Sequence, residues 1–571
     1  MKKSLTIIAL AALVMLAGCK KNDPKPNGTR LFAGIEKHKS DSKTSLDGLQ
    51  IKWSENDQLY VNNGTTTSAC FTLVSGAETT KGEFATEVEY PFAAANNLAV
   101  YPYDNVNSIS GTTVTMTLPA VQEASGAGSF GNGANPMLGT FSDMDNLTLT
   151  SLCGVLCLQL TGDNVDITAI EMVGGPGDKL NGTFTVDYMN PEPTYPTEGT
   201  NTVRLNFTEP VTLTSTAQNF YVVLPAGTLN GFTMKVYTVD NKIFSKSTAN
   251  NVPVSVNTLS TMEPVEVNPY ATPLTLEALT DGNIGVIIKN VGGKGGGVYP
   301  GSSKGGPGGG RSSNIRVKYS VNGGDTITIY ETTTVTTTIP VNAGDMVQFY
   351  GDDSSTQFCG DEPKVVLQGA AHTKVYGNIM SLLDEDNYAN LTTLPNGSFA
   401  NFAGLFSENE NLTDASGLLL PATTPTSWCY YGMFAGCTSL TTAPALPATE
   451  LAEQCYLMMF FGCTSLSTAP ALPATTLAGG CYYWMFFGCT SLTTAPALPA
   501  TELAGGCYSG MFAGCTSLNS VTCLATDISA SDCTTGWLEG VATTGTFTKA
   551  SGSTWPEGSN GIPSGWTVNE Q

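Results

Sequence analysis

The C-terminal part of the chain repeats with a period of 26 residues, and this period constrains the fold more than any other feature. It is carried by two series of cysteines: Cys429, Cys455, Cys481, Cys507 and Cys533, and Cys437, Cys463, Cys489 and Cys515. A unit of this length cannot bury its own apolar face, so neighbouring units must stack and share one core. The sequence therefore predicts a solenoid, and degenerate copies upstream place its start near residue 373.

Positions that stay constant between units are predicted to be core, and positions that change are candidates for a binding surface. The constant positions are Met433, Phe434, Cys437, Leu440 and Leu446, with their equivalents 26 residues apart. The larger variable residues are Tyr431, Leu457, Met458, Phe461, Tyr483, Trp484 and Phe487. If they face solvent, such side chains can hold a sugar ring or a protein surface. The alternative is that they pack between coils on the convex face.

The N-terminus has the pattern of a bacterial export signal. Two lysines precede the apolar run Leu5–Leu16, which is too short to span a bilayer as a finished helix. The run ends in Leu16-Ala17-Gly18-Cys19, which resembles a lipobox, so residues 1–18 are predicted to be removed and Cys19 to be acylated. Each methylene of an acyl chain buried in the membrane contributes about 0.8 kcal/mol. Residues 19–30 are then a lipidated tether, and the expected location is the surface of the outer membrane.

The rest of the chain has the pattern of a mainly β protein. From residue 31 to 267, short alternating segments such as Val114–Leu118 and Phe220–Leu224 are broken by turn residues, which predicts a β-sandwich unit. Residues 268–372 are predicted to form a second, small β domain. It contains a hairpin turn at Val321-Asn322-Gly323-Gly324 and a flexible glycine-rich insertion, 292–313. Repeats then occupy residues 373–522, and residues 523–571 cap the last coil.

Most of the 15 cysteines are predicted to be buried thiols, although an exported protein often uses cysteine for disulfides. Cys153 and Cys157 would lie on one face of a strand but about 13 Å apart at ~3.3 Å per residue, too far to bond each other. In the solenoid, equivalent cysteines have parallel Cβ directions, which oppose disulfide geometry. We therefore expect ladders of free thiols.

Composition argues against several classes of function. The formal net charge of −23 disfavours a nucleic-acid partner. The two histidines, His38 and His372, fall in different modules, which removes most Ser-His and Cys-His nucleophile arrangements and most zinc sites. We therefore expect a protein that is not an enzyme and has no catalytic residue, cofactor or metal. The remaining catalytic alternative is a hydrolase with paired carboxylates, for which Asp352-Asp353 and Asp384-Glu385-Asp386 are the acidic clusters.

Short spaced motifs in the first unit resemble the fimbrillin (Mfa-like) proteins of Bacteroides-type bacteria. The matching segments are Lys43–Leu46, Ile51–Val61, Leu152–Leu156 and Phe232–Tyr237. The resemblance covers about 240 residues and implies a two-part β-sandwich in a pilus subunit or a relative of one. In that family, cleavage after an arginine frees a groove that a neighbouring subunit fills with a donated strand. Arg30 is the candidate cut site, and an uncut tether residue is the alternative.

The repeat units resemble bacterial surface leucine-rich repeats. Phe434–Leu440 matches their Phe-x-x-Cys-x-x-Leu core, and Leu446-Pro447 matches their turn. This resemblance implies a leucine-rich-repeat solenoid at the C-terminus.

Together these features predict a lipid-anchored adhesion or binding protein of the cell surface, with the repeat array as the ligand-binding module. Its expected partners are the outer membrane, through acyl chains on Cys19, and a surface protein or glycan of a host or another bacterium. One alternative is a pilus tip or anchor subunit that assembles with other pilus subunits by strand donation. Another is a surface lipoprotein that captures glycans for uptake.

Overall fold

The structure is a computed structural model that describes residues 29–36, 39–40, 52–64, 67–131, 133–195, 198–289, 315–331, 335–351, 365–394 and 401–571. Within these ranges the chain is mainly β, which confirms the predicted fold class at that level. Helix is limited there to the short 3₁₀ segments Tyr103–Asn105, Pro269–Ala271, Ile379–Leu382 and Tyr388–Asn390. None of the helices in the described part is long and apolar enough to cross a membrane. The predicted signal peptide, Cys19, His38 and the glycine-rich insertion lie outside the described residues.

The first unit contains strands β1 to β21. In chain order they are β1 Arg30–Ile35, β2 Lys39–Ser40, β3 Gln58–Asn62, β4 Ser68–Ser75, β5 Lys81–Ala85, β6 Asn97–Tyr101, β7 Val106–Ser110, β8 Thr113–Leu118, β9 Val121–Ala124, β10 Met137–Phe141, β11 Leu147–Ser151, β12 Gly154–Thr161, β13 Val165–Gly174, β14 Gly182–Asp187, β15 Asn190–Thr194, β16 Thr202–Leu213, β17 Gln218–Leu224, β18 Gly227–Thr238, β19 Ile243–Val254, β20 Thr258–Thr261 and β21 Val265–Glu266. The strands predicted at Val114–Leu118 and Phe220–Leu224 are confirmed as β8 and β17.

The first part of this unit is a closed barrel in the order β1-β11-β10-β6-β3-β4-β5. The resemblance implied a two-part β-sandwich, and here β1 closes the sheet of the first part by pairing antiparallel with β5 and parallel with β11. Residues alternate along β1, because Leu31 and Ala33 are buried while Phe32 is 43% exposed. Inside the barrel, the ring of Trp53 packs edge-on against Phe84 with centroids 4.8 Å apart.

The second part of the unit is layered around β12. Its sheet, β17-β12-β20-β2, lies between the sheet β19-β18-β13-β16-β9 and the sheet β15-β14-β8-β7. Leu156 and Leu158 of β12 face the first of these sheets, and Val155 and Cys157 face the second. Burial on both faces explains why β12 is apolar almost throughout instead of alternating.

The second β unit contains the strands β22 Leu274–Ala278, β23 Gly282–Ile288, β24 Ile315–Val321, β25 Ile327–Glu331, β26 Val335–Val341, β27 Met346–Gly351, β28 Val365–Gly369, β29 Thr373–Asn378 and β30 Leu412–Leu419. They form the sheets β25-β24-β27-β22-β29-β30 and β26-β23-β28. The predicted hairpin turn joins β24 to β25. Asn322 and Gly323 both have positive φ, 52° and 70°, as a type I′ turn requires.

The 26-residue units stack as coils, as predicted. One side of each coil is a ribbon of consecutive turns, in which N–H groups alternate between two kinds of carbonyl partner. Met433 N–H bonds within its own turn to Tyr430, at 3.2 Å, whereas Phe434 N–H bonds to Met459 in the next coil, at 2.9 Å. The opposite side carries single parallel bridges such as Thr442 to Thr468. The stack ends in the parallel strands β31 Ser520–Cys523, β32 Thr546–Lys549 and β33 Thr567–Glu570.

The predicted core positions of the repeat are confirmed. Met433, Phe434, Cys437 and Leu440 are each 0% exposed, and Leu446 is 3% exposed. Equivalent rings stack directly along the coils; the Phe434–Phe460 and Phe460–Phe486 centroids are 5.4 and 5.5 Å apart. The cysteines of both series are buried and free, as expected, and so are Cys153 and Cys157.

The repeat array and the second β unit share one hydrophobic core, which extends from Leu274 to Trp566. The junction is a parallel pairing of β29 with β30, so the six-stranded sheet continues into the first coil. A fragment that began at residue 373 would therefore lose the strands against which its first coils pack.

A buried ion network joins the first unit to the second where β13 and β18 meet β22 and β29. Lys235, whose side chain is 1% exposed, places Nζ 2.6 Å from Glu277 Oε2 and 3.5 Å from Glu171 Oε1. Lys374 Nζ lies 3.1 Å from Glu277 Oε1, and Arg204 Nη1 lies 3.5 Å from Glu171 Oε2. Glu277, with a side chain 9% exposed, and the half-buried Glu171 thus each have two cationic partners, which offset the cost of removing their charges from water.

Candidate functional site

The turn ribbon of the array contains residues in a left-handed backbone conformation that is usually adopted by glycine. At one such position the successive coils have Gly432, Met458, Trp484 and Gly510, with φ of 55°, 55°, 53° and 59°. A residue with a Cβ is less stable in this conformation by roughly 1–2 kcal/mol. Met458 and Trp484 therefore occupy sites where the flanking coils use the less strained residue. Backbone strain of this kind is concentrated at functional sites in proteins.

Trp484 is the centre of a half-buried aromatic cluster on this ribbon. Its ring centroid lies 4.9 Å from Tyr483, 5.8 Å from Phe487 and 6.4 Å from Phe461. Phe461 and Phe487 stack on each other at 4.9 Å. The indole also lies across the next coil, where a Cβ added at Gly510 would collide with it. Glycine in that coil thus makes room for the ring and helps to fix its orientation.

A cleft of about 330 Å³ opens beside this cluster. Its floor is formed by two glycine pairs in consecutive coils, Gly479-Gly480 and Gly505-Gly506. At the same positions, the coil before has Glu453-Gln454 and the coil after has Ser531-Asp532. The glycines therefore remove side chains from two coils while the flanking coils retain theirs, and this produces a trough with polar ends. The wall is formed by Trp428, Tyr431, Leu457, Met458, Tyr483 and Trp484.

The cleft offers both hydrogen-bond donors and acceptors. The Tyr483 hydroxyl, the Trp484 indole N–H and the Gln454 side-chain amide make no hydrogen bond to any residue that the structure describes. Glu453 and Asp532 supply carboxylates, and Asp532 Oδ1 also accepts a hydrogen bond from Thr535 Oγ1 at 3.3 Å. Donor and acceptor groups around an apolar wall are typical of small-ligand sites.

Basic side chains are almost absent from this part of the chain. From residue 401 to 571, all of it described, the only Lys, Arg or His is Lys549. Lys549 Nζ lies 2.8 Å from Glu570 Oε1 and is therefore already paired. The face around the cleft has no cation to offer an anionic ligand.

The structure places the seven predicted surface residues together on one ribbon. Five line the cleft: Tyr431, Leu457, Met458, Tyr483 and Trp484. Phe461 and Phe487 lie beside it and support Trp484. Leu457 is 7% exposed and packs mainly inward, while the other six are half-buried. Both alternatives for these variable residues therefore hold in part, since the side chains pack between coils and still expose an edge or face.

Sequence reasoning missed the glycine floor and the polar ends of the cleft. The signal was present, because the column of Glu453, Gly479, Gly505 and Ser531 varies as much as the aromatic columns do. Trp428, which packs edge-on against Tyr431 at 5.6 Å, was also missed because it precedes the first full repeat.

Arg30 is the first residue of β1, with an exposed side chain that is ion-paired with Glu83. The next residues are integral to the barrel, because Leu31 is buried and Leu31–Gly34 pairs with β5. A cut after Arg30 would leave Leu31–Ile35 in place. Cleavage alone would therefore not remove β1 from the barrel.

The acidic cluster at Asp384 is a turn. Asp384 Oδ1 accepts backbone hydrogen bonds from Asp386, at 3.1 Å, and from Asn387, at 3.0 Å, while Glu385 pairs with Lys318. The other cluster, Asp352-Asp353, lies outside the described residues. Across the described ranges, no group of three or more His, Cys, Asp or Glu side chains is arranged to hold a metal ion.

The buried thiols are poor nucleophiles. Burial raises the pKa of Cys157 to about 11 and that of Cys437 to about 12, so the reactive thiolate is scarce at neutral pH. Cys437 Sγ donates to the Phe406 carbonyl at 3.1 Å, and Cys463, Cys489 and Cys515 repeat this contact in the following coils. These cysteines stabilise the stack.

No protein-family model matches the chain, and no curated protein matches it. Among solved structures, a proposed cell adhesion protein from Bacteroides uniformis is 15% identical, with a TM-score of 0.27, covering 42% of this chain and 92% of that one. A second, from Bacteroides ovatus, is 9% identical, with a TM-score of 0.28 and coverage of 42% and 90%. A leucine-rich repeat protein from Bacteroides thetaiotaomicron is 11% identical, with a TM-score of 0.12 and coverage of 42% and 26%. At these values, the likeness assigns neither a family nor a function to this chain.

Proposed function

We propose that this chain is a lipid-anchored protein of the bacterial outer surface that acts by adhesion, with the repeat array as its binding module. The lipobox-like Leu16-Ala17-Gly18-Cys19 supports export and anchoring. The β units connect this anchor to the array, and the shared core from Leu274 to Trp566 gives the array a rigid base. Binding without turnover agrees with the scarcity of histidine and with thiols whose burial raises their pKa.

The observation that carries the proposal is the half-exposed aromatic cleft, which is lined by five non-glycine residues in left-handed conformation: Trp428, Gln454, Met458, Trp484 and Asp532. A coil that served only as a spacer would gain by glycine at Met458 and Trp484, as the flanking coils do at Gly432 and Gly510. Rigid aromatic side chains provide contact area with little loss of conformational entropy on binding.

The alternative role as a pilus subunit that assembles by strand donation has less support. That mechanism needs a groove, and a cut after Arg30 would leave β1 between β5 and β11. A glycan-capture role would use the same cleft and differs from adhesion only in what happens to the ligand afterwards.

Adhesion can be tested with beads that carry the full chain, settled under flow on surfaces coated with mucin, fibronectin or collagen. We expect retention on at least one coating and a large loss with Trp484→Gly, which introduces the residue found in the flanking coils and should fold. Ser467→Glu, an exposed position of a neighbouring coil outside the cleft, is the control and should adhere like the wild type. A folded wild type that is not retained on any coating would overturn the adhesion proposal.

Anchoring is tested separately by Cys19→Ser. The variant should leave the membrane fraction for the soluble fraction, and unchanged fractionation would contradict lipidation at Cys19.

A further inference from the structure

We infer that the cleft binds uncharged sugar rings, one or two residues of a neutral glycan, with Trp484 and Tyr483 against their apolar faces. This inference rests on the proposed function and specifies its ligand. It follows from the length of the cleft, from the mixture of polar groups at its rim and from the charge of the array.

The length of the cleft is set by the glycine pairs. They remove side chains from two consecutive coils, and equivalent phenylalanine rings of neighbouring coils, Phe434, Phe460 and Phe486, are 5.4 to 5.5 Å apart, so the trough is roughly 10 Å long. A six-membered sugar ring is about as long as one coil step. The trough thus accommodates one or two rings. The side chains of Gln454 at one end and Asp532 at the other would block a longer oligosaccharide from lying along it.

The polar groups match hydroxyls better than cations. A sugar hydroxyl both donates and accepts hydrogen bonds, whereas an ammonium group only donates. The rim contains acceptors in Glu453 and Asp532, an indole N–H donor in Trp484, and two groups that can donate or accept, the Gln454 amide and the Tyr483 hydroxyl. The polar atoms of Gln454, Tyr483 and Trp484 are not bonded to other described residues. A lysine ammonium has no acceptor and would leave the Trp484 indole N–H unmatched, whereas a sugar hydroxyl could accept from it.

The charge of the array excludes acidic sugars. A carboxylated or sulfated ring needs a nearby cation to offset its desolvation, and the single basic residue between 401 and 571 is Lys549, paired with Glu570. Glu453 and Asp532 at the two ends would repel such a ring. Neutral rings meet neither penalty.

The first test fills the trough by the substitution Gly479→Glu. Glutamate is the residue that the preceding coil has at the equivalent position, Glu453. Gly479 has no positive φ, and an added Cβ would be 3.7 Å from the Gly505 carbonyl oxygen, an ordinary contact. The variant should therefore fold, which circular dichroism and thermal unfolding would verify. Ser467→Glu adds the same charge outside the cleft and serves as the control.

The full chain and its variants would be titrated calorimetrically with cellotriose, maltotriose, mannotriose and triacetylchitotriose. Sialyllactose, a heparin tetrasaccharide and trilysine provide the anionic and cationic arms. We expect one or more neutral trisaccharides to bind, Gly479→Glu to reduce affinity at least about tenfold, and Trp484→Gly to reduce it up to about tenfold, the effect of a lost aromatic contact. Ser467→Glu should stay within about twofold.

The remaining outcomes separate this inference from the adhesion proposal. Binding of trilysine or of the anionic sugars without any neutral sugar would overturn the ligand class. If none of the four neutral trisaccharides binds, the neutral-sugar inference is overturned as well, even if the beads still adhere through Trp484. Neutral binding that Gly479→Glu leaves unchanged would place the sugar elsewhere and refute the cleft.

Discussion

Replacing Lys235 with methionine should destabilise the junction between the first and second β units by about 3 kcal/mol. Removing one partner of a buried ion pair costs about 3–5 kcal/mol, because the charge left behind is buried without compensation. Lys235 is the shared partner, with Nζ 2.6 Å from Glu277 and 3.5 Å from Glu171. Arg204 and Lys374 remain 3.5 and 3.1 Å from these carboxylates, so we expect the lower end of the range.

Urea unfolding at pH 7 measures this loss, and its dependence on pH provides a second check. Burial acts to raise the pKa of Glu171, but Lys235, Lys374 and Arg204 outweigh it and hold that pKa below its ordinary value. Glu171 therefore stabilises the fold above its unfolded-state pKa, and this stabilisation is lost as pH falls through the lower, folded-state pKa. The difference between wild type and variant should begin to shrink as the pH falls below about 4 and should shrink further as Glu171 becomes protonated.

The control for this prediction is Lys246→Met, on the exposed part of β19. It should change the free energy of unfolding by less than about 0.5 kcal/mol. Equal effects of Lys235→Met and Lys246→Met at pH 7 would refute the reasoning, because they would show that the buried network contributes nothing beyond an ordinary surface lysine.

Two further outcomes are expected from the repeat array. Phe460→Ala removes a ring stacked between Phe434 and Phe486 and should lower the free energy of unfolding in urea by about 3–5 kcal/mol. A decrease of less than about 1 kcal/mol would mean that these stacked rings are not a close-packed core. Burial raises the pKa of Cys437 and Cys515 to about 12, so both thiols should resist N-ethylmaleimide in the native protein and react after unfolding. Peptide mass spectrometry would follow the labelling, and labelling of the native thiols at the rate of an exposed cysteine would contradict their burial.

Much of the core of the array could be predicted from sequence because the period fixes which residue lies over which. Once units stack, Met433 lies above Met459 and Phe434 above Phe460, and residues that recur without change must fill the shared interior. The same reasoning identified the aromatic columns. It did not identify the cleft, since a glycine pair in a repeat is equally compatible with a tight turn and with a missing wall.

The sequence by itself predicted a mainly β chain and a stacked array whose constant positions are buried, and the structure confirms both; the export signal over residues 1–18 stays a prediction. These follow from local pattern and period, which a single chain displays directly. Tertiary structure alone decided that β1 closes a barrel, that the array shares its core with the second β unit, and that Gly479 and Gly505 form a trough beside Trp484. Each of these depends on pairings between distant segments or on how a side chain lies over its neighbour, and neither leaves a periodic trace in the sequence.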